Sequence, residues 1–293
     1  KLKQLPILFS ILFLVMLGFG IIIPVLPFYA EELGASEEVF GWLMASYSIM
    51  QFIFAPIWGR ISDRFGRKSV LLIGLTGYIF SFIVFALSTK IWMLFAARIM
   101  SGILSSATLP TAKAIVADLT TEEERGKGMG ILGAGMGLGF IFGPAIGGLL
   151  TKYALFGLNR LATPFLFTAL LAVVPLVLTI FVLKESLNQE QVSRSAVTKP
   201  NFDLKQGTLT FVYLAAFVVS FTLAGLEGTF AYYAKDRAGI DAHDLGYIFA
   251  IMGVASAFVQ GGMIGKLINH FGEKNTIKIG LVVSGIGFSL LIL

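Results

Sequence analysis

The sequence has no cysteine, only two histidines and few charged residues. The absence of cysteine excludes disulfides, thiolate metal sites and cysteine nucleophiles. The two histidines, His243 and His270, lie far apart and outside the apolar runs, so no metal site is expected. HExxH, GxSxG and P-loop motifs are absent as well. These absences predict a chain with no catalytic residues and no cofactor, which is not an enzyme.

The composition favours a membrane environment. Charged residues make up 13% of the 293 residues, whereas about a quarter of an average soluble domain is charged. Apolar residues account for 56%, which is more apolar surface than a soluble fold of this length can bury, although a bilayer can solvate it. The net charge of +5 does not indicate a nucleic-acid partner, because the basic residues flank the apolar segments.

Apolar segments of membrane-spanning length, about 20 residues, recur along the chain. The fourth of them, Ile91–Val116, carries Arg98 and Lys113, and the ninth, Ile279–Leu293, is short. We therefore predict an all-α polytopic membrane protein of nine helices, the last cut short. The seven uncharged segments are Leu5–Ala30, Val39–Gly59, Ser69–Thr89, Gly128–Thr151, Leu161–Leu183, Gly207–Leu226 and Leu245–Gly265.

The loops divide the chain and orient it. With a cytoplasmic N-terminus, the cytoplasmic loops hold roughly three times as many basic residues as the outer loops, as the positive-inside rule requires. The longest polar stretch, Lys184–Gln206, follows the sixth segment and is typical of a linker. We predict a six-helix bundle at residues 1–184, a cytoplasmic linker at 185–206 and a partial second bundle at 207–293.

An internal repeat supports this division. The stretch Gly59–Lys68, between the second and third segments, recurs at a constant offset as Gly265–Lys274, between the eighth and ninth. Gly59 and Gly66 permit a tight turn and close helix approach, and Asp63 is expected to cap a helix start. An ordinary basic turn does not explain this recurrence. Parallel repeats of six helices are a known transporter plan, so the second copy is predicted to be incomplete.

Four stretches resemble a known family. Gly59–Lys68 resembles the G-x-x-x-D-R-x-G-R-K loop of the major facilitator superfamily. Arg98–Gly102 and the first segment are similar to motifs of its drug:proton antiporters, such as bacterial multidrug and tetracycline efflux pumps. The first-segment positions are Gly18, Pro24 and Pro27. The fifth segment matches the antiporter motif G-x8-G-x3-G-P-x2-G-G at Gly130, Gly139, Gly143, Pro144, Gly147 and Gly148.

The resemblance implies a major facilitator fold, proton coupling at Arg98 and a conformational switch in the basic loop. It also implies that Asp118 pairs with Arg64 or Arg67. The implied protein is a monomer in the inner membrane, in contact with lipid, that exchanges drug-like small molecules for protons. The implied switch residues are Gly59, Asp63, Arg64, Gly66, Arg67, Lys68, Asp118 and Arg125.

Ionisable residues at membrane depth are site candidates by default. Arg98 lies inside the fourth segment, and Glu227 follows the uncharged run Gly207–Leu226. Removing a carboxylate from water favours its protonated form, so Glu227 is expected to exchange a proton or to bind a cationic substrate. Snorkelling to the lipid surface is the alternative for each of them, and for Lys113 it is the favoured interpretation.

Candidate lining residues are aromatic or polar, because such side chains suit bulky cations. Gln51 and Phe140 are favoured, with Phe19, Tyr47, Tyr232 and Tyr233 as further candidates. Phe140 adjoins a glycine stripe that recurs every four residues in the fifth segment, which predicts close helix packing or a hinge at Pro144.

These features predict proton-coupled export of amphipathic, cationic or aromatic compounds by alternating access. One alternative keeps the fold but exports a single dedicated metabolite, sugar or lipid. A more remote alternative is a non-transporting membrane receptor, which the repeat and the fifth-segment motif disfavour.

Overall fold

The computed structural model describes residues 4–187, 207–259 and 263–290, and these residues form α-helices joined by short turns. A 3₁₀ turn, Ser105–Ala107, joins α4 to α5. The helices are α1 (Leu5–Glu32), α2 (Glu37–Phe65), α3 (Arg67–Ala86), α4 (Ile91–Leu104), α5 (Thr108–Leu119), α6 (Glu122–Leu150), α7 (Thr163–Phe181), α8 (Gly207–Ala238), α9 (Ala242–Phe258), α10 (Ile264–Phe271) and α11 (Glu273–Leu290).

The all-helical membrane architecture predicted from the sequence is confirmed. Within the described residues, six spans are long and apolar enough to cross a bilayer, and α4 with α5 forms one of them, Ile91–Leu119. These six correspond to the first six predicted segments. Helices α8, α9 and α11 overlap the seventh to ninth predicted segments, and α8 continues beyond its predicted end to Ala238. The predicted domain boundaries stay a prediction, and residues 188–206 of the predicted linker lie outside the described residues.

The fourth span is interrupted near its middle. The 3₁₀ turn Ser105–Ala107 lies just before Pro110, whose ring clashes with the carbonyl group four residues earlier, that of Ser106. Gly74 of α3 faces this interruption, where an added β-carbon would lie 2.7 Å from Thr108 Oγ1. The small residue therefore lets α3 approach the backbone where the helix is irregular.

Helix α1 lies at the centre of the larger core, with α6 and α7 packed against it. Two buried tyrosines make polar contacts between α1 and its neighbours. Tyr29 Oη donates to the Ser88 carbonyl oxygen at 2.5 Å, and Tyr78 Oη donates to the Leu14 carbonyl oxygen at 3.0 Å. The Tyr29 ring also stacks on Phe165 of α7. These contacts fix α1 as the helix around which the first bundle is arranged.

The two ends of the bundle are distinct. We call the end with the α2–α3 turn the basic end and the end with the α1–α2 turn the far end. The second bundle contacts the first toward the far end, where Gly246 of α9 lies against Gly148 of α6. A small apolar cluster, with Ile23 of α1 and Ala231 of α8, adjoins this contact. Lys235 of α8 forms an ion pair with Glu31 of α1. The described contacts between the bundles therefore include a packed, ion-paired junction at the far end.

Candidate functional site

A cavity of about 440 Å³ lies where α1, α6, α8 and α9 meet. Among the described residues that line it, Glu227 is the one ionisable side chain and Ser256 is the one other polar side chain. The remaining lining is aromatic, aliphatic or thioether, and flexible methionines adapt to bulky apolar ligands. That lining is Met16, Met136, Gly137, Phe140, Ile141, Pro144, Leu223, Leu226, Phe249, Met252 and Gly253.

Glu227 is held in the cavity wall by the middle of α8. It forms no ion pair within the part of the chain that the structure describes. Its carboxyl group is nevertheless close enough to Arg98 for the two charges to interact electrostatically. The two residues predicted for proton coupling therefore lie within electrostatic range, although they belong to different bundles.

Arg98 is almost completely buried, with 1% of its surface exposed. Its Nε donates to the Leu43 carbonyl oxygen and its Nη2 to the Met44 carbonyl oxygen, both at 3.3 Å. The guanidinium group also lies over the Tyr47 ring, 4.7 Å from the centroid, a favourable cation–π arrangement. Its Nη1 has no hydrogen-bond partner among the described residues. Helix α2 thus holds this cation inside the bundle and leaves one donor group unused.

An aromatic series joins Arg98 to the cavity. The Phe19 ring lies 6.3 Å from the Tyr47 ring and 6.3 Å from the Phe140 ring. Gln51 Nε2 donates to Tyr47 Oη at 3.1 Å. The structure therefore brings Arg98, Tyr47 and Gln51 into one group and connects them through Phe19 to Phe140, which lines the cavity.

Apart from Phe140, the predicted aromatic and polar lining residues lie outside the cavity wall among the described residues. Tyr47 and Gln51 lie beside Arg98, as described above. Tyr232 lies at the bundle junction, where its Oη donates to the Pro27 carbonyl oxygen at 3.5 Å and its ring meets Phe40. Membrane depth alone does not specify which face of α8 meets the cavity, and Tyr232 faces α1 and α2.

The basic loop forms a charged network at the basic end. Arg67 Nε donates to Asp118 Oδ2 at 3.2 Å, and its Nη1 contacts Asp63 and Ser62. Asp118 therefore pairs with Arg67, one of its two predicted partners, and not with Arg64. Lys68 Nζ donates to the Ile180 carbonyl oxygen at 2.8 Å.

The prediction that Asp63 caps a helix start is wrong. Asp63 lies in the last turn of α2, and Glu185 after α7 fills that role for α3. Its two carboxylate oxygens accept from the backbone N–H groups of Arg67 at 2.9 Å and Lys68 at 3.1 Å. Ser186 Oγ donates to Asp118 at 3.0 Å. The residues that follow α7 are therefore tied to the loop between α2 and α3.

Other predicted switch residues lie outside this network. Arg64 and Arg125 are exposed, and Arg64 lies over the Phe65 ring. Gly66 has the positive φ of 103° that its turn needs. Gly59, expected to permit close helix approach, has open space around its α-carbon in the part of the chain the structure describes. The turn thus depends on Gly66 rather than on Gly59.

The fifth-segment glycines lie on α6 and face two partners. A β-carbon added to Gly147 would lie 3.1 Å from Ile21 Cα of α1, and Gly139 and Gly143 also abut the α1 backbone. Gly148 faces the opposite bundle, where an added β-carbon would lie 2.6 Å from Gly246 Cα. Gly130 has open space around it among the described residues.

The first-segment motif residues are buried in α1. Pro24 and Pro27 lie inside the helix. An added β-carbon at Gly18 would overlap Tyr78 of α3 and lie 2.8 Å from Thr168 Cγ2 of α7. Gly18 thus allows α3 and α7 to approach α1.

Sequence reasoning missed Met44 and Glu185. The Met44 carbonyl oxygen and thioether both accept from Arg98, but a backbone acceptor leaves no signal in side-chain chemistry. Glu185 was placed in the linker, because nothing near it in the sequence marks the N-terminus of α3 as its partner.

Comparisons with known proteins agree with this architecture. The family model described as Major Facilitator Superfamily matches residues 8–293. Multidrug resistance protein 2 of Bacillus subtilis (strain 168) is 36% identical, over 96% of this chain and 70% of that protein. Tetracycline resistance protein, class B, of Escherichia coli is 33% identical, over 94% of this chain and 69% of that protein.

A solved structure supports the same conclusion. The human organic anion transporter MFSD10 (TETRAN) superposes with a TM-score of 0.67 at 25% identity, covering 89% of this chain and 71% of that one. The resemblance found in the sequence is confirmed by the family match and by these relatives. The chain therefore belongs to the major facilitator superfamily, and it is a multi-pass membrane transporter rather than an enzyme.

Proposed function

We propose that this transporter exports amphipathic, mainly cationic or aromatic compounds in exchange for protons. The observation that carries the proposal is the cavity with a single carboxyl group, Glu227, in an apolar and thioether-rich wall. A carboxylate in such a wall attracts a lipophilic cation, and its protonated form does not. One residue can therefore bind substrate and proton in turn, which is the requirement for exchange.

The relatives support this choice of substrate, because two of them carry the names multidrug and tetracycline resistance proteins. An exporter of a sugar or another hydroxyl-rich metabolite is the second candidate. Such a substrate needs several polar partners, and the described cavity wall offers only Glu227 and Ser256. The wall therefore favours a largely apolar substrate that carries a positive charge.

We further propose that the basic end faces the cytoplasm and that the protein lies in a bacterial inner membrane as a monomer. The excess of basic residues at that end supports this orientation. With it, the junction at Gly148 and Gly246 closes the outer side, and the Arg67–Asp118 network holds helices α2, α3 and α5 together on the cytoplasmic side. Alternating access then requires the junction to open and close.

Everted membrane vesicles test the proposal. Accumulation of the fluorescent cation ethidium should follow an imposed proton gradient, and adding ethidium should release protons that a pH dye reports. Glu227→Gln should abolish both signals, whereas Ser256→Ala, which removes the other polar group of the wall, should keep the proton signal. Accumulation that persists with a protonophore but needs ATP contradicts the mechanism, as does full proton-driven transport by Glu227→Gln.

A further inference from the structure

Gln51 and Tyr47 lie one turn apart on α2, beside Arg98 rather than in the wall of the Glu227 cavity. Gln51 Nε2 donates to Tyr47 Oη at 3.1 Å, and neither side chain belongs to the described cavity lining. Side chains four residues apart lie on the same face of a helix, so the geometry of α2 favours this hydrogen bond. Their position therefore points to a role other than contact with the exported compound.

The groups that contact Arg98 are all neutral among the described residues. Its guanidinium group donates to Leu43 and Met44 of α2, and it forms no ion pair in that part of the chain. The two carbonyl oxygens are fixed, because they belong to the helix backbone. The contact with the Tyr47 ring, 4.7 Å from the guanidinium carbon to the centroid, depends instead on the rotamer of a side chain.

The Tyr47 ring supports the cation only when its face lies over the guanidinium group. An aromatic ring has a negative face and a positive edge, and a change of rotamer about the Cα–Cβ bond moves the whole ring. Gln51 holds the hydroxyl group, which is the end of the ring farthest from the backbone. With the other end attached to α2, the hydrogen bond keeps the ring in the rotamer that covers Arg98.

A close contact between α2 and α4 brings this group together. Gly102 lies one turn after Arg98, and an added β-carbon there would lie 2.7 Å from the Tyr47 carbonyl oxygen and 2.6 Å from Met50 Cβ. A small residue lets the two helices approach each other closely. The helix contact therefore places the Tyr47 backbone beside α4, and the hydrogen bond from Gln51 places its ring.

We propose that Gln51 is a positioning residue, which acts through Tyr47 to hold the guanidinium group of Arg98. This role rests on the proposed proton coupling, in which Arg98 interacts with Glu227. The energy of that interaction depends on the distance between the charges, so a displaced guanidinium group changes the coupling. The sequence predicted Gln51 and Tyr47 as substrate-binding residues, and the proposal gives them a role in coupling instead.

Transport kinetics in everted vesicles separate this role from substrate binding. Initial rates of proton-driven ethidium accumulation are measured against ethidium concentration for Gln51→Leu and Tyr47→Phe. Both variants lose the hydrogen bond, and Tyr47→Phe keeps the ring. The maximal rate should fall by about two- to tenfold, the effect of one hydrogen bond, and the half-saturating concentration should stay the same. Phe140→Leu, in the cavity wall, should instead raise the half-saturating concentration.

The double variant tests whether the two residues act as one unit. Because each single change breaks the same hydrogen bond, Gln51→Leu combined with Tyr47→Phe should transport no worse than either variant alone. Tyr153→Phe is the matched control, since it removes the hydroxyl group of an exposed tyrosine that follows α6. It should transport at the wild-type rate.

The reactivity of Arg98 gives a measurement that needs no transport. Phenylglyoxal modifies accessible guanidinium groups, and mass spectrometry of peptides from the purified full chain measures the modified fraction at Arg98. The wild-type residue should react slowly, because it is almost completely buried. Folded Gln51→Leu and Tyr47→Phe should react faster by about two- to tenfold, because the loss of one hydrogen bond makes local opening easier.

Three results would overturn the positioning role. One is a loss of transport in the double variant that equals the sum of the two single losses in free energy. Another is a raised half-saturating concentration for Gln51→Leu with an unchanged maximal rate, which is the result expected of a substrate contact. The third is unchanged reactivity of Arg98 in folded Gln51→Leu. Wild-type transport without proton coupling would contradict the proposed function, and the reactivity of Arg98 would still test the position that Gln51 imposes.

Discussion

At the scale of single residues, a guanidinium group is held inside an apolar bundle by main-chain oxygens of a neighbouring helix. Arg98 reaches Leu43 and Met44 through separate nitrogens and covers the Tyr47 ring. This geometry needs the planar fork of arginine, which the point charge of lysine does not reproduce. A positive charge alone is therefore not sufficient at this position, because the contacts need the arginine side chain.

The first prediction concerns Arg98→Lys. The variant keeps the charge but loses at least one charged hydrogen bond, each worth about 1.5–3 kcal/mol. Proton-driven ethidium efflux should fall by at least about tenfold, since about 1.4 kcal/mol corresponds to a factor of ten in rate. Lys113→Ala, at the exposed basic residue of the same span, is the control and should transport normally. If the folded Arg98→Lys variant exports ethidium at the wild-type rate, the guanidinium group is not required.

The charged candidate residues were the easiest to single out from the sequence. Arg98, Glu227 and Asp118 are rare charges next to apolar runs, so each carries a strong signal in the sequence alone. Glu185 resembled its polar neighbours in the linker, because its partners are backbone N–H groups far away in the chain. The position of Tyr232 at the bundle junction was beyond sequence reasoning, because aromatic residues occur throughout the chain and each helix has several faces.

At the scale of elements, α6 packs through glycine residues against a helix of each bundle. Its Gly139, Gly143 and Gly147 lie against α1, and its Gly148 lies against α9. The sequence predicted close packing from the four-residue spacing, but spacing alone could not tell which helix each glycine would meet. The 3₁₀ turn in the fourth span was not predicted either, although Pro110 was a usable signal for it.

The second prediction compares two glycines of α6. Gly143→Ala places a methyl group against the Leu17 carbonyl oxygen and the Gly20 backbone of α1, so the helices must separate. We expect at least about a tenfold loss of transport and a lower melting temperature. Gly133→Ala, at a site with open space among the described residues, should instead stabilise the helix by about 0.5–1 kcal/mol.

Efflux assays and thermal unfolding of both variants measure these effects. Equal transport by Gly143→Ala and wild type would show that the close contact between α1 and α6 is dispensable. A destabilised Gly133→Ala variant would show that α6 also packs closely on the face that carries Gly133.

At the scale of the whole molecule, the described bundles are joined toward the far end by packing and by one ion pair. An exposed pair such as Glu31–Lys235 contributes about 0–1 kcal/mol by itself, so it marks the position of the junction more than it stabilises it. Contacts between bundles were beyond sequence reasoning, because the repeat relates the two copies without fixing how they face each other.

The third prediction uses the absence of native cysteine. The double variant Glu31→Cys, Lys235→Cys should react with a short, reducible bis-maleimide and lose transport, because the cross-link prevents the far end from opening. Reduction should restore ethidium efflux, and each single variant treated in the same way should remain active. Mass spectrometry of tryptic peptides measures the cross-linked fraction. Full efflux by a fully cross-linked protein would show that the far end does not need to separate.

The glycine contact surfaces of α6 affect how the helix can move. Where side chains interlock, one helix slides past another in discrete steps, because each side chain must leave one gap and enter the next. Along α6 the contact surfaces at Gly139, Gly143, Gly147 and Gly148 have no side chains to interlock. A small displacement of α6 along α1, or along α9 at Gly148, therefore requires no change of side-chain rotamer at those four positions.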